Sequence, residues 1–232
     1  MVAIVTIGVL SLQGAVSEHL ASMNRVLKEE KQPGQAILVR QPRDIDTCDA
    51  LIIPGGESTT ISRILDNSGM HDAIRRRMKQ NNIALIGTCA GCVILAKELT
   101  DTKADVRLLQ AMDMQVERNA FGRQKESFER PVTVKGFITP FNAVFIRAPC
   151  ITKVWGSCEV LATVERKIVM ARQNNYLALS FHPELTDDLR IHRYFLEMLW
   201  LRLHDCKQED SKSDKCSNNS TNHRDNPVNN RP

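Results

Sequence analysis

Short apolar segments alternate with helical patterns along the first 86 residues of the chain, and this alternation restricts the possible fold most strongly. The apolar segments lie at residues 2–10, 36–39, 50–53 and 83–86. The helical patterns lie at residues 17–30, 60–65 and 71–80. Ser17 is placed to cap the first helix, and Pro33 with Gly34 interrupts it. Strands that alternate with helices in this way predict a parallel sheet with helices on both faces.

The second half of the chain follows a different pattern. Turn residues separate short strand-like segments, which lie at residues 112–116, 132–134, 143–146, 159–164 and 167–172. This spacing predicts that part of the sheet is antiparallel or mixed. A helix is expected over residues 191–203, which supply several aromatic and apolar side chains. The expected fold is therefore an α/β three-layer sandwich with a central sheet that is mostly parallel and partly mixed.

Composition indicates one domain and a polar extension. The chain has 232 residues, of which 42% are hydrophobic and 25% charged, enough for one sizeable core. After residue 203 the sequence becomes rich in Lys, Asp, Ser and Asn, and Val228 is almost its only apolar residue. Such a segment cannot offset the entropy that it loses on ordering. We therefore expect a domain over residues 1–203 and a disordered polar tail over residues 204–232.

Charge and cysteine content indicate the cellular compartment of the protein and the kinds of partner that it does not bind. The formal net charge is only +4, and the one basic run, Arg75 to Arg77, fits a solvated helix face better than a nucleic-acid site. No apolar segment approaches the roughly 18–20 residues that span a bilayer, and the N-terminus lacks a secretory signal pattern. Seven widely spread cysteines argue against a disulfide framework. We expect a cytoplasmic protein that binds neither nucleic acid nor membrane.

A sharp turn carries the first candidate catalytic residue, Cys89. The apolar segment 83–86 leads into Gly87-Thr88-Cys89-Ala90-Gly91, which leads into a helical pattern. This order of strand, turn and helix is the cysteine form of the nucleophile elbow, and a helix N-terminus stabilises a thiolate. A buried structural cysteine in a tight turn is the alternative. Cys92 completes a C-x-x-C spacing, but zinc would need a second ligand pair, so we expect Cys92 to be structural.

His182 and Glu184 are the candidate partners of Cys89. A thiol nucleophile needs a base, and the base needs a group that fixes its tautomer. In an extended segment residues two apart project to the same side, so Glu184 can orient His182 across Pro183. The other five histidines lie in helical or tail segments and show no comparable partner. Taken alone, His182 also fits a hydrogen-bonded structural histidine.

Two adjacent glycines, Gly55 and Gly56, directly follow the apolar segment 50–53 and Pro54. Glycines at a strand end let backbone N–H groups turn towards a ligand, as an oxyanion intermediate requires. Open α/β folds bind ligands at this edge of the sheet. The alternative is a plain turn that ends in a Ser or Thr helix cap.

The three motifs, in this order, resemble the class I glutamine amidotransferase family, which implies a flavodoxin-like fold. More specifically, five segments resemble the glutaminase subunits of pyridoxal 5'-phosphate synthase. They are GVLSLQGA at 8–15, PGGESTT at 54–60, RNAFGRQ at 118–124, FIRAP at 145–149 and FHPELT at 181–186. The resemblance extends over about residues 2–203, and the segment 118–124 is its most specific part. Around Gln35 and residues 101–109 the sequence is less typical.

The resemblance implies a catalytic role for each matching residue. Cys89 would attack the glutamine carboxamide, and His182, held by Glu184, would protonate the leaving ammonia and then activate water. The backbone N–H groups of Gly56 and Ala90 would form the oxyanion hole.

The resemblance also implies which residues hold the amino-acid end of glutamine. They are Gly56, Glu57, Ser58, Arg118, Ile146 and Arg147. An arginine suits the substrate carboxylate, and Glu57 suits its ammonium group. Either arginine could instead form a structural salt bridge.

The partner implied by the resemblance is a separate pyridoxal 5'-phosphate synthase subunit, which receives ammonia within a large hetero-oligomer. No cofactor or metal is implied. The end of the N-terminal strand and the loop 118–124 are candidate contacts with that partner. Two alternatives stay open: a cysteine hydrolase of the same architecture with another substrate, or a non-catalytic partner subunit. The His-Pro-Glu sequence counts against the first, and the intact triad counts against the second.

Overall fold

The computed structural model describes residues 4–121 and 127–217, with side chains described as far as residue 204. Its helices are α1 (Val16–Glu29), α2 (Pro42–Asp46), α3 (Ser58–Asn67), α4 (Met70–Lys79), α5 (Ala90–Leu95) and α6 (Arg190–Ser217), with a 3-10 turn at Pro183–Leu185. The first strands are β1 (Val5–Leu10), β2 (Gly34–Val39), β3 (Ala50–Ile53), β4 (Ala84–Thr88), β5 (Ala96–Leu99) and β6 (Met112–Glu117). The later strands are β7 (Ser127–Val132), β8 (Phe141–Ile146), β9 (Cys150–Val154), β10 (Glu159–Val164), β11 (Lys167–Gln173) and β12 (Tyr176–Leu179).

Five strands form a parallel sheet in the order β2-β1-β3-β4-β12. In terms of parallel strands this is the 2-1-3-4-5 order of flavodoxin-like folds. The central strand β3 is buried on both faces. Leu51 and Ile53 pack in one core cluster with α3, α4 and α5, and Ile52, which points the opposite way, is also fully buried. The predicted parallel sheet is confirmed.

The helices pack in two groups. Helices α2 and α3 contact α4, and α3 also contacts α5. Helix α1 contacts β1 and β2 and lies against the start of α6, where Arg193 binds Glu29 and Glu30. Buried α1 residues such as Met23 are absent from the core cluster that α3, α4 and α5 share with β3. The two groups therefore cover opposite faces of the sheet and complete the three layers.

Beyond β12 the sheet becomes mixed, as predicted. Strands β11, β9 and β6 continue it in antiparallel pairs, β5 adds a parallel pair with β6, and β10 pairs with β11. Strands β7 and β8 form a separate antiparallel pair. Strand β5 was not foreseen, because its first residue continues the apolar pattern of the elbow helix. Helix α5 instead ends at Leu95, and Ala96 already has an extended backbone.

The predicted cap at the start of α1 is wrong. Ser17 is the second residue of the helix, and its hydroxyl donates to Glu18 rather than to the backbone. The chain turns earlier because Gly14 adopts a φ of +87°, which favours glycine. Val16 N then donates to Gly14 O, so the helix begins before Ser17.

The last helix is longer than the sequence predicts. The chain divides into two compact units after Leu199, and the domain boundary expected at residue 203 stays a prediction. Residues 204–217, expected to be disordered, continue α6. This stretch contains neither glycine nor proline, and residues such as Lys207 and Glu209 favour helix. Residues 218–232 of the expected tail lie outside the described part of the chain. Among the residues that the structure describes, no helix is long and apolar enough to cross a membrane.

Candidate active site

Cys89 occupies the turn between β4 and α5. Its backbone has φ +49° and ψ −107°, which is strained for a residue other than glycine. Its N–H donates to Leu179 O on the neighbouring strand β12, at 2.8 Å. A β-carbon on Gly87 would overlap the carbonyl of Gly91, and one on Gly91 would overlap the carbonyl of Ile53. Both glycines are therefore required by backbone packing, and this packing holds Cys89 at the end of β4.

The thiol of Cys89 differs from the other described cysteines in its surroundings. Cys89 lines a cavity, and its Sγ lies 3.7 Å from the carbonyl oxygen of Ile146. Cys92 is fully buried in α5, and burial raises the pKa of its thiol. Burial also raises the pKa of Cys48 and of Cys158 to about 11. The position of Cys92 agrees with the structural role expected for it.

His182 and Glu184 are joined by a short contact of 2.7 Å between Nδ1 and Oε1. The sequence predicts an extended segment here, whereas Pro183–Leu185 forms a 3-10 turn that brings the buried Glu184 carboxylate to the imidazole. Burial lowers the pKa of His182, but hydrogen bonds with Cys89 and Glu184 outweigh burial and raise it to about 10. The imidazole therefore carries a proton at neutral pH.

His19 on α1 is a site residue that the sequence analysis missed. Its Nε2 lies 3.3 Å from Glu184 Oε2 and 3.1 Å from Thr88 Oγ1, so the statement that it has no comparable partner is wrong. His19 lies one and two helical turns before Met23 and Val26, and all three are fully buried. A histidine on the apolar face of a predicted helix was the available signal.

The Gly55–Gly56 loop lies directly against the candidate catalytic side chains Cys89 and His182. A β-carbon on Gly55 would lie 2.5 Å from the His182 ring and 3.2 Å from Cys89 Cβ, so only glycine leaves this space open. Gly56 has a φ of +143°. The next residue, Glu57, donates its N–H to Gln13 Oε1 at 2.8 Å. The sequence indicates Gln13 only as a turn residue, but its side chain anchors this loop.

Two amides at the site are available as donors. Ala90 is the first residue of α5, so its N–H has no acceptor within the helix. Among the described residues, neither Ala90 N nor Gly56 N donates to a protein acceptor. Both residues line the same cavity as Cys89.

Glu57 is the N-cap of α3, where a Ser or Thr cap was the simpler expectation. Its carboxylate accepts hydrogen bonds from Thr59 N at 3.0 Å and from Thr60 N at 2.7 Å. Slight burial raises its pKa, but these hydrogen bonds outweigh burial and lower it to about 2. Arg118 Nη2 lies 3.5 Å from Glu57 Oε1. The site therefore presents a permanent anion and a cation side by side.

One cavity of about 490 Å³ brings the candidate residues together. Its lining includes Gly56, Glu57, Ser58, Cys89, Ala90, Arg118, Ile146, Arg147 and His182. Glu184 lies behind His182 and away from the cavity. Gln13, Asn119 and Leu185 line the cavity as well and were not predicted as site residues. The volume falls in the range of about 300–1,000 Å³ that is typical of small-molecule sites.

Arg147 and the first residues of the loop 118–124 also line the cavity. Arg147 has a φ of +40°, and within the described ranges no acidic side chain pairs with it. The described part of the loop, 118–121, contributes Arg118 and Asn119 to the cavity. Residues 122–124 of the loop lie outside the described residues. Among the described side chains, no cluster of three or more His, Cys, Asp or Glu could hold a metal ion.

Known proteins resemble this chain over most of its length. The pyridoxal 5'-phosphate synthase subunit PdxT of Methanocella arvoryzae is 47% identical over 197 residues, which cover 83% of this chain and 96% of that protein. The protein of the same name from Pyrococcus furiosus is 44% identical over 196 residues, or 84% of this chain and 99% of that protein.

Two solved structures that resemble this chain are both glutamine amidotransferases. A crystal structure of a glutamine amidotransferase is 45% identical to this chain, with a TM-score of 0.74, and covers 83% of this chain and 98% of its own. A glutamine amidotransferase from Thermotoga maritima is 13% identical, with a TM-score of 0.55 over 90% of this chain and 85% of its own, and shares the fold alone. Residues 9–201, which carry the elbow, the glycine loop and the His-Pro-Glu turn, match the family model described as SNO glutamine amidotransferase, and the chain belongs to that family.

Proposed function

We propose that this chain hydrolyses L-glutamine to L-glutamate and ammonia, and that the ammonia goes to a separate pyridoxal 5'-phosphate synthase subunit. The 2.7 Å contact between His182 Nδ1 and Glu184 Oε1, beside the elbow thiol of Cys89, carries the proposal. A thiol with a base that a carboxylate orients is what nucleophilic attack on an amide requires. Family membership and the names of the relatives support glutamine as the amide and pyridoxal 5'-phosphate synthase as the assembly.

In the first half of the proposed reaction, the Cys89 thiolate attacks the carboxamide carbon of glutamine. The N–H groups of Gly56 and Ala90 stabilise the charge that develops on the carboxamide oxygen. His182, whose raised pKa of about 10 keeps it protonated, donates its proton to the nitrogen. The carbon–nitrogen bond then breaks, ammonia leaves, and a thioester joins the glutamyl group to Cys89.

In the second half, the neutral His182 takes a proton from water while the water oxygen attacks the thioester carbon. The carbon–sulfur bond breaks, and the electron pair returns to sulfur as a thiolate. Glutamate leaves after its new carboxyl group has lost its proton to solvent. Glu184 stabilises the imidazolium at both ends of this cycle.

The charges of the cavity suit the amino-acid end of glutamine. Glu57 remains ionised because its pKa is about 2, and it can receive the substrate ammonium group. Arg118 and Arg147 can receive the substrate carboxylate. The Arg118–Glu57 contact is 3.5 Å long, and the two side chains are only partly buried, so glutamine can compete for both groups. Ser58 and the Ile146 backbone complete the proposed binding set.

The partner in this proposal is a synthase subunit that takes ammonia directly from the cavity. Apolar side chains are exposed where a partner could cover them. Ile146 and Leu185, which line the cavity, are 36% and 41% exposed, and Ile4 near the N-terminal strand end is 70% exposed. We place this assembly in the cytoplasm and assign it no metal or cofactor.

The test mixes the chain with the synthase subunit of the same organism and follows glutamate release and complex size together. We expect glutamate release that Cys89→Ala abolishes without changing the complex. Cys92→Ala is the matched control, since it removes a thiol one helical turn away that is fully buried, and it should retain activity. Unchanged glutamate release from Cys89→Ala would remove Cys89 from the mechanism. Cleavage of peptides or esters but not glutamine would support a cysteine hydrolase instead.

A further inference from the structure

The catalytic carboxylate has a second buried neighbour besides His182. His19, from the middle of α1, is fully buried, and its Nε2 lies 3.3 Å from Glu184 Oε2. The other carboxylate oxygen, Oε1, contacts His182. Among the described residues, Oε2 makes no hydrogen bond, and His19 Nε2 is the polar atom that lies beside it at 3.3 Å.

Within the described part of the chain, three titratable or hydroxyl groups contact His19. Glu184 approaches from the 3-10 turn, Thr88 from β4 and His192 from α6. Burial, followed by the proximity of His192 and then of His182, holds the pKa of His19 well below its usual value. His19 is therefore neutral, and only one of its two ring nitrogens carries a hydrogen.

The groups that surround His19 determine which of its two ring nitrogens carries the hydrogen. If Nε2 were the bare nitrogen, its lone pair would face a buried carboxylate oxygen at 3.3 Å, and that oxygen would lack a donor. If Nε2 carries the hydrogen, it can donate to Thr88 Oγ1 at 3.1 Å, and its positive end lies beside Glu184 Oε2 at 3.3 Å, outside full hydrogen-bond geometry. The Nδ1 lone pair of His19 then accepts from His192 Nε2, which lies 3.4 Å away. The Nε2–H tautomer is therefore the stable one.

We propose that His19 is a positioning residue, whose Nε2–H attracts Glu184 Oε2 across the 3.3 Å contact and so keeps Oε1 directed at His182. His19 touches neither the thiol nor the cavity in this arrangement and acts through Glu184. The inference rests on the proposed function only in that the Cys89–His182–Glu184 triad is taken as the catalytic unit.

Loss of the His19 contact has a defined consequence at His182. Without an N–H beside Oε2, the carboxylate of Glu184 is held by His182 alone and can rotate away from it. The interaction that keeps the His182 proton then weakens, so the pKa of His182 falls towards its ordinary value. Alkylation of Cys89 by iodoacetamide reports this change, because its rate depends on the charge of the adjacent imidazole. Peptide mass spectrometry assigns the modification to Cys89.

The experiment compares His19→Phe, His19→Gln and His71→Gln in the full chain. Phenylalanine fills the space without a donor, whereas the glutamine side-chain amide can donate from nearly the same place as Nε2. His71 is an equally buried histidine, but its Nε2 contacts Leu108 O on another part of the fold. It controls for the loss of a buried imidazole as such.

We expect His19→Phe to shift the alkaline inflection of the alkylation profile to lower pH. We also expect it to lower kcat for glutamine, measured with the synthase subunit, by about tenfold to a hundredfold, with KM nearly unchanged. His19→Gln should restore most of the wild-type inflection pH and most of the wild-type kcat. His71→Gln should change neither the inflection pH nor kcat. A folded His19→Phe variant with the wild-type inflection and kcat would overturn the proposal. A shifted inflection in a chain that releases no glutamate would instead refute the proposed function and leave the positioning role supported.

A measurement on the unmodified chain protects the test against misfolding of the variants. Nitrogen-15 NMR of the histidine rings distinguishes the two neutral tautomers directly. We expect a hydrogen on Nε2 of His19, with the signal assigned through its absence from His19→Gln or by selective labelling. A hydrogen on Nδ1 with a bare Nε2 would overturn the proposal.

Discussion

Gly91 in the first turn of α5 packs so closely against the carbonyl oxygen of Ile53 in β3 that a β-carbon at position 91 would overlap it. The elbow of Cys89 is thus fixed from the side by the backbone of the neighbouring strand. The carbonyl belongs to a paired strand in the centre of the sheet, so neither element can move aside without loss of ladder hydrogen bonds.

The first prediction concerns that contact. Gly91→Ala should lower the free energy of unfolding by about 3 kcal/mol or more, because the overlap is with backbone and no rotamer relieves it. It should also lower glutaminase activity, since the turn that holds Cys89 is displaced. Gly136→Ala is the control: Gly136 has open space around it, so this substitution adds only the backbone strain of its positive φ, +89°, and no steric overlap. Urea unfolding of both variants provides the comparison, and an equal loss in the two would show that the Ile53 contact is not limiting.

The second prediction is a pH dependence. Burial lowers the pKa of His182, but hydrogen bonds with Cys89 and Glu184 outweigh it and raise the pKa to about 10. Protonated His182 therefore stabilises the fold fully below its ordinary pKa of about 6.5, and this contribution is lost as the pH rises through about 10. Glutaminase activity should fall over the same alkaline range, since the proton donor to ammonia disappears.

Glu184→Gln tests the cause of that pH dependence. The neutral amide cannot stabilise the imidazolium as a carboxylate does, so the alkaline fall in activity should move to lower pH. Glu159→Gln, which removes a surface carboxylate bound to Lys135, should leave the profile in place. Initial rates of glutamate release across the alkaline range give both profiles. Coincident profiles for Glu184→Gln and wild type would exclude Glu184 as the source of the raised pKa.

The third prediction concerns the anchor of the glycine loop. Gln13→Ala removes the acceptor of Glu57 N and loosens the segment that contains Gly56. We expect kcat for glutamine to fall by about threefold to tenfold, while stability changes little because Gln13 is exposed. Gln35→Ala, at an exposed position on β2, should leave kcat unchanged. Steady-state kinetics with the synthase subunit decide, and a normal kcat in Gln13→Ala would show that the loop holds its shape without this bond.

The fourth prediction separates binding from chemistry. Arg118→Ala should raise KM for glutamine by about tenfold to a hundredfold, because it removes a charged partner of the substrate carboxylate. Arg118→Lys should retain part of the affinity through its charge. Arg63, which pairs with Asp105 on the surface, supplies the control variant Arg63→Ala. If Arg118→Ala changes only stability, the arginine serves the structural ion pair with Glu57.

The fifth prediction concerns the C-terminal segment. A chain that ends at Leu203 should retain the thermal midpoint and the glutaminase activity of the full chain, because the segment it lacks is almost entirely polar. Helical structure over residues 204–217 does not alter this expectation, since these residues are almost all polar. Differential scanning calorimetry of the two chains makes the comparison, and a large drop in the midpoint would show that the segment contributes to the fold.

Sequence periodicity and motif spacing predicted the parts of this molecule that depend on local order. The segment 50–53 is apolar throughout because both of its faces are covered, and the structure has a strand over those same residues. The elbow was predictable because Gly87 and Gly91 are needed by the turn itself. Strand β12 was missed because Tyr176–Leu179 is short and becomes a strand only through its neighbours β4 and β11.

The site residues that could not be predicted from the sequence are those whose contacts join distant segments. Gln13 reaches Glu57, and His19 reaches Glu184, only after the sheet has brought α1 beside the later loops. The Pro183 turn was predicted as extended because proline restricts the backbone without revealing that three residues form a single helical turn.

Strand β4, which ends directly before Cys89, receives its second neighbour from β12, a segment that ends only three residues before His182. Until β12 has been synthesised, β4 is therefore an open edge of the sheet, and Cys89 has neither the strand that accepts its N–H nor its proposed base. Strand β12 and His182 are therefore synthesised close together in time. Until both have been made, the Cys89 thiol lacks its proposed base.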